Sequence, residues 1–349
     1  VDPRDEYVAE AVKLASGEEA ARADLRIVLT AMHGVGASLT ARVLAEAGFA
    51  NVSLVAAQAE PDPDFPTVPF PNPEEAGALD MAIEQARAEG ADLIIAVDPD
   101  ADRCALAVPD PGAEAGWSPL SGDQIGCLLG EFLAARGLEG SLANSIVSSR
   151  LLARIAEAHG LVHHTTLTGF KWIARAPKLA FGYEEAIGFC PNPEIARDKD
   201  GIASSVVAAS LFAALKVEGR TAWDELDRLA RAHGLHVTGP LTFRVEEIEQ
   251  IAAGMARLRA QPPSVLAGSP VVEVSDLSEG YRGLPPTDGV LVLTEAGDRV
   301  IARPSGTEPK LKCYLEVILP APEGEPVPWE AARERLELIK SEFGRIIGL

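Results

Sequence analysis

Short apolar runs alternate with helix-like periodicity along most of this chain. Leu25–Leu29 and Asn51–Val55 read as strands, and the uninterrupted apolar run Leu93–Val97 reads as a strand buried on both faces. Between them the pattern predicts a helix capped by Ser38 and running to about Ala47, and another from about Glu75 to Glu89. The prolines crowded between Glu60 and Pro73 predict an irregular loop. A second block starts near Leu120, with helices expected at Asp123–Ala135, Arg150–His159 and Ile202–Lys216 and strands at Ser145–Ser148, Val162–Thr165 and Leu179–Phe181. A third block starts near Thr238, with a helix at about Val245–Arg259, strands near Val271–Val274, Val290–Thr294 and Val300–Arg303, and a closing helix at Trp329–Ile347. Alternating strands and helices imply α/β domains with a parallel sheet, whose ligands bind beyond the carboxyl ends of the strands. The last block gathers its helices beside an antiparallel sheet and reads as α+β. The expected domains are residues 1–117, 118–236 and 237–349.

A chain of 349 residues is long enough for two or three such domains. Its formal charge of −21 argues against nucleic acid and anionic membranes as partners. No apolar run reaches the length of a membrane span. Cys104, Cys127, Cys190 and Cys313 lie far apart and read as reduced core thiols, so a cytoplasmic protein is expected, monomeric or homodimeric. An anionic substrate would need locally concentrated cations, and three loops bear on that.

Arg303-Pro304-Ser305-Gly306-Thr307-Glu308-Pro309-Lys310 suits a phosphate group. Arg303 offers a fork of donors, Ser305 and Thr307 add hydroxyls, Gly306 leaves backbone N–H groups approachable, and Lys310 adds a second charge. The same composition also suits an ordinary turn before the strand Lys312–Ile318. Asp98-Pro99-Asp100-Ala101-Asp102-Arg103 follows the buried strand. Carboxylates so close repel unless a cation neutralises them, and an oxygen-only set points to Mg²⁺. A calcium loop would require a glycine and a closing Glu that are missing; a solvated acidic turn is the remaining alternative. In Gly182-Tyr183-Glu184-Glu185-Ala186-Ile187-Gly188, paired carboxylates between glycines suit sugar hydroxyls, and equally suit a solvated Glu-Glu pair. His163–His164 on a strand reads as structural, and Gly34-x-Gly36 lacks the continuation of a dinucleotide fingerprint.

In this order the three loops resemble those of the α-D-phosphohexomutase superfamily, which holds phosphoglucomutases and phosphomannomutases. Thr168–Ile173 (TGFKWI) and Arg197–Gly201 (RDKDG) strengthen the likeness, in forms most similar to the branch of phosphopentomutase-type and sugar-bisphosphate-synthase enzymes. The resemblance implies successive phosphoglucomutase-like α/β domains plus a C-terminal α+β domain. It also implies an isomerase moving a phosphoryl group within a sugar monophosphate through a phosphoserine, with Mg²⁺ as cofactor and a sugar 1,6-bisphosphate as activator. By the same resemblance Asp98, Asp100 and Asp102 hold the metal, and Arg103 and Lys171 are catalytic. Glu184, Glu185, Arg197 and Lys199 contact the sugar phosphate. Arg303, Ser305, Gly306, Thr307 and Lys310 hold the phosphate that does not react. The family's serine loop has no counterpart here, so the chain is expected to correspond to domains two to four and to be inactive alone. Hexose-specific members often carry Ser and His where this chain has Ala186 and Gly188, which favours a pentose phosphate or broad specificity. The other readings are a non-catalytic sugar-phosphate binder and an Asp-loop phosphatase, the latter opposed by Asp102 in place of Thr or Val.

Overall fold

A computed structural model describes residues 3–305 and 309–348. They form two compact units, one of Val1–Ser145, Leu152–Thr165 and Gly169–Leu226, the other of Ile146–Leu151, Thr166–Thr168 and Asp227–Leu349. Its mixed α/β architecture carries the expected α/β sheets and a C-terminal α+β sheet.

In chain order the first unit contributes helices α1 (Pro3–Val12) and α2 (Glu19–Asp24), strand β1 (Arg26–Thr30), α3 (Ala37–Glu46), β2 (Asn51–Leu54), α4 (Asp80–Glu89), β3 (Leu93–Val97), β4 (Cys104–Pro109) and β5 (Trp117–Pro119). Next come α5 (Gly122–Ala134), β6 (Ser141–Ser145), α6 (Leu151–Ala158), β7 (Val162–Thr166), α7 (Phe170–Ile173), β8 (Leu179–Glu184), β9 (Gly188–Cys190) and α8 (Gly201–Val217), and α9 (Ala222–His233) begins in this unit and ends in the second. The first sheet has the order β2-β1-β3-β4-β5, the second β7-β6-β8-β9. Strands β2, β1 and β3 are parallel, as expected, but β4 and β5 turn antiparallel. The reason is length: the segment 98–103 is too short for a crossover, so β4 folds straight back with Cys104 opposite Val97. The sugar-loop segment closes the second sheet in the same way, as the tip of the β8–β9 hairpin.

Local chemistry explains the helix starts. Ser121 and Gln124 form a reciprocal capping box at α5, satisfying two backbone donors that would otherwise lack partners. The Asp200 side chain accepts from Ala203 N at the start of α8. Ser38 is not the cap of α3: Gly36 holds that position and Ser38 lies inside the helix. Helix α4 begins at Asp80 rather than near Glu75, after a stretch of turns. Helix α8 is apolar nearly all round and buried along its length, packing against α2, α3 and β3. Among the described residues no single helix is long and apolar enough to cross a membrane. Among the described residues none of the four cysteines forms a disulfide, and all four are buried.

The second unit adds β10 (Leu235–Arg244), α10 (Ile248–Ala260), β11 (Val265–Leu266), β12 (Ser269–Asp276), β13 (Val290–Thr294), β14 (Arg299–Pro304), β15 (Lys310–Leu319) and α11 (Trp329–Ile347). Its sheet runs β10-β15-β14-β13-β12-β11, antiparallel throughout. Leu258, Val292, Val300, Leu311, Val317, Leu336, Ile339 and Phe343 form its core between the sheet and helices α10 and α11. Strand β10 hides in the sequence behind Gly239-Pro240. Proline fits because β10 is an edge strand, and glycine because a Cβ there would stand 2.7 Å from Leu336 Cδ2 of α11.

The strand expected at Ser145–Ser148 ends at Ser145, and residues 146–151 turn away. Arg299 holds that turn: its Nη1 donates to the Ile146 carbonyl at 2.8 Å and its Nη2 to the Ser148 carbonyl at 2.7 Å. Arg150 and Ser149 both reach the fully buried Glu316 of β15, Arg150 Nε donating at 2.6 Å and Ser149 Oγ at 2.9 Å. A charged anchor far away in the chain thus overrides the local apolar pattern.

Candidate functional site

The β3 strand is buried at all five positions and delivers the acidic loop to its carboxyl end. There one carboxylate oxygen each from Asp98, Asp100 and Asp102 lies within 4.8 Å of the others. Asp98 is nearly buried and its Oδ1 accepts the Arg103 backbone N–H at 2.9 Å, while Asp100 is exposed. Burial pushes the Asp98 carboxyl up to about 6; the Arg103 N–H bond opposes that rise, and the charges of Asp102 and Asp100 add to it. Three oxygen donors set this close, one of them nearly buried, fit a hard divalent cation such as Mg²⁺.

Two side chains border the carboxylates. Arg103 Nε stands 3.7 Å from Asp98 and 3.6 Å from Asp102, and its Nη1 donates to the Ala186 carbonyl of the sugar loop at 3.3 Å. Lys199 Nζ pairs with Asp102 at 2.9 Å and lies 5.6 Å from the Phe170 ring centre. Burial works against the lysine's charge, yet Asp102, Asp198 and Glu184 hold its pKa above the ordinary value. Burial raises the Glu184 carboxyl, partly offset by Lys199 and Arg103. Glu185 accepts from Ser145 Oγ at 3.0 Å. The acidic loop and the 182–188 loop are also tied by their backbones, since Cys104 N donates to the Ile187 carbonyl at 3.1 Å.

What sequence reasoning missed is the bed under the acidic loop. A Cβ on Gly34 would stand 2.4 Å from Pro99 Cα, on Gly36 2.6 Å from Ala101 Cβ, and on Gly201 2.2 Å from the Arg103 carbonyl oxygen. Val35 N donates to the Pro99 carbonyl and Gly201 N to the Ala101 carbonyl. The Gly34-x-Gly36 pair therefore serves close packing against the acidic loop, and that spacing beside a strand-end acidic loop was the available signal. Ala101 itself sits at φ 61°, the left-handed region that glycine usually fills. We expect Gly34→Ala to destabilise the first unit by about 1–3 kcal/mol, because the obstacle is backbone rather than a movable side chain. A thermal melt equal to wild type would contradict the packing role.

Lys171 on α7 and Arg197 stand exposed, and no pairing with the carboxylate cluster brings either into it. Arg303 lies near the end of β14, opposite Lys312, and Ser305 N donates to the Lys310 carbonyl at 2.8 Å, which joins β14 and β15 beside the expected phosphate-binding residues. Gly306 and Thr307 lie outside the described residues. His163 bonds Asn144 at 2.9 Å, and burial, with His164 beside it, pushes its pKa down to about 4, which fits a structural histidine.

Comparison with known proteins follows the same outline. Family models for the phosphoglucomutase/phosphomannomutase alpha/beta/alpha domain II, alpha/beta/alpha domain III and C-terminal domain match residues 5–112, 121–232 and 214–325. A Haemophilus influenzae protein described as a probable phosphomannomutase is 45% identical over 89% of this chain and 63% of its own length. A Schizosaccharomyces pombe protein described as a probable phosphoribomutase is 33% identical over 83% of this chain and 54% of its own length. Among solved structures, the open form of parafusin, a Paramecium phosphoglucomutase, is similar in fold with a TM-score of 0.73 at 18% identity, covering 99% of this chain and 63% of that one. The chain thus spans less than two thirds of the relatives it matches. It belongs to the phosphoglucomutase/phosphomannomutase family and carries that family's domains II, III and C-terminal domain.

Proposed function

We propose that this chain supplies the metal, sugar and distal-phosphate loops of a phosphosugar mutase, an intramolecular phosphotransferase whose nucleophilic serine lies outside these 349 residues. The reading rests on the carboxylate triad at the end of β3, bordered by Arg103 and Lys199. A phosphoserine gives its phosphoryl group to a sugar monophosphate, and the resulting bisphosphate returns its other phosphoryl group to the serine. The net change moves phosphate between O1 and O6, or O5 of a pentose. Such transfer depends on positioning and charge neutralisation. Asp98, Asp100 and Asp102 would hold Mg²⁺, which would supply positive charge beside the transferring group. Arg103 neutralises that group, Glu184 and Glu185 orient sugar hydroxyls, and Lys171, Arg197 and Lys199 meet the incoming sugar phosphate. Arg303, Ser305, Gly306, Thr307 and Lys310 hold the non-reacting phosphate.

Glucose or mannose phosphate is the proposed substrate. The pentose alternative is favoured by one observation, the methyl of Ala186 and the bare Gly188 in the sugar loop, and is consistent with a phosphoribomutase-named relative. In a coupled assay the full-length protein should interconvert sugar 1- and 6-phosphates, while the 349-residue chain shows no turnover even with glucose 1,6-bisphosphate. Ordinary turnover by the chain alone would refute an external nucleophile. The phosphate loop has its own test. A charge-assisted bond is worth about 1.5–3 kcal/mol, so Arg303→Ala should weaken glucose 6-phosphate binding by roughly ten- to a hundredfold in titration calorimetry. Arg303→Lys should recover only part, since an ammonium lacks the planar fork. Equal affinity of wild type and Arg303→Ala would remove the phosphate assignment.

A further inference from the structure

Nothing in the backbone calls for glycine at position 188. It lies in β9, paired with Glu184 across the hairpin, and its φ is outside the left-handed region. In a strand, β-branched and aromatic residues are ordinarily preferred and glycine is unfavourable. Space is what excludes a side chain. A Cβ on Gly188 would stand 2.4 Å from Lys199 Cδ, 2.9 Å from Lys199 Cγ and 3.1 Å from Glu184 Cγ. The aliphatic stem of Lys199 occupies the place a side chain would take and carries its ammonium on to Asp102. The lysine's own segment is irregular: residues 191–199 form no helix or strand, Arg197 and Asp198 are exposed, and Lys199 Nζ has a second, longer pairing with Asp198 at 3.4 Å. Yet the Lys199 side chain is only 14% exposed.

We propose that Gly188 is a positioning residue, a bare seat on the sugar loop that holds the Lys199 stem and so fixes the ammonium against the acidic-loop carboxylate Asp102. A side chain at 188 and a lysine seated on Asp102 exclude each other, so position 188 presents a cation borrowed from residue 199 in place of a side chain of its own. The functional weight of that cation rests on the mutase reading; the seat itself does not.

The test is a double-mutant cycle on the 349-residue chain with Gly188→Ala, Lys199→Ala and the pair. Gly188→Ala should lower the melting temperature by several degrees when Lys199 is present and cost almost nothing in the Lys199→Ala background. Peptide mapping after brief acetylation gives an independent readout. Lys199 should label several-fold more slowly than the exposed Lys171 in wild type, and Gly188→Ala should raise the Lys199 rate several-fold with Lys171 unchanged. An equal melting loss in both backgrounds, or unchanged Lys199 labelling in folded Gly188→Ala, overturns the proposal. If Gly188→Ala alone does not fold, the pair must fold when the stem is the obstacle, and a pair that also fails overturns it. Neither readout needs metal or sugar phosphate, so failure here is distinct from failure of the mutase reading.

Discussion

Asp100→Asn in the full-length protein should lower turnover by on the order of a thousandfold while leaving the melting temperature unchanged. Of the three carboxylates, Asp100 is the exposed one. Its replacement disturbs no core, and exposed substitutions usually stay within about 0.5 kcal/mol. Asparagine keeps the size and one oxygen but removes a full negative charge from the triad. Loss of one preorganised electrostatic group typically costs about 10²–10³ in rate, and weakened cation binding adds to that. A steady-state assay across Mg²⁺ concentration, with a melt of the same preparation, checks both halves. Retained turnover would make the loop a solvated acidic turn.

Glu316→Gln should cost the second unit about 3–5 kcal/mol, the usual penalty for breaking one partner out of a buried ionic cluster. Glu316 is fully buried and accepts from Arg150, Ser149 and His236, with Arg299 Nη2 at 3.2 Å. Burial alone would raise its pKa, but Arg299, His236 and Arg150 outweigh burial and hold it well below 4.5. A carboxylate depressed in the folded state stabilises fully above its unfolded pKa and loses that contribution as pH falls toward its folded value. The difference between wild type and Glu316→Gln should therefore be complete at neutral pH and narrow as pH drops below about 4.3. Melts at a series of pH values would show it; a difference that grew with acidity would contradict the sign.

How far the sequence carries depends on the range of the interaction. Strand β13 and helix α11 have the predicted bounds, because their apolar periodicity faces one core. The acidic loop was legible as a strand-end cluster, since a buried run followed by three carboxylates is a local signal. The turn at 146–151 was not legible, because Arg299 and Glu316 shape it from far along the chain. The reversal at β4 could have been read from loop length alone. Gly188 and Gly201 were opaque for a different reason: glycine reports only that something is close, and not what. Resemblance points to Lys199 as a substrate contact, but its place on Asp102 needs the fold.

The mutase reading depends most directly on Asp98, Asp100 and Asp102 forming a divalent-cation site. Titration calorimetry of Mg²⁺ into the wild-type chain and Asp100→Asn tests it without substrate, nucleophile or turnover. One weak saturable site is expected in wild type, and its loss in Asp100→Asn. Identical heats for the two proteins, or no saturable heat for wild type, would contradict it.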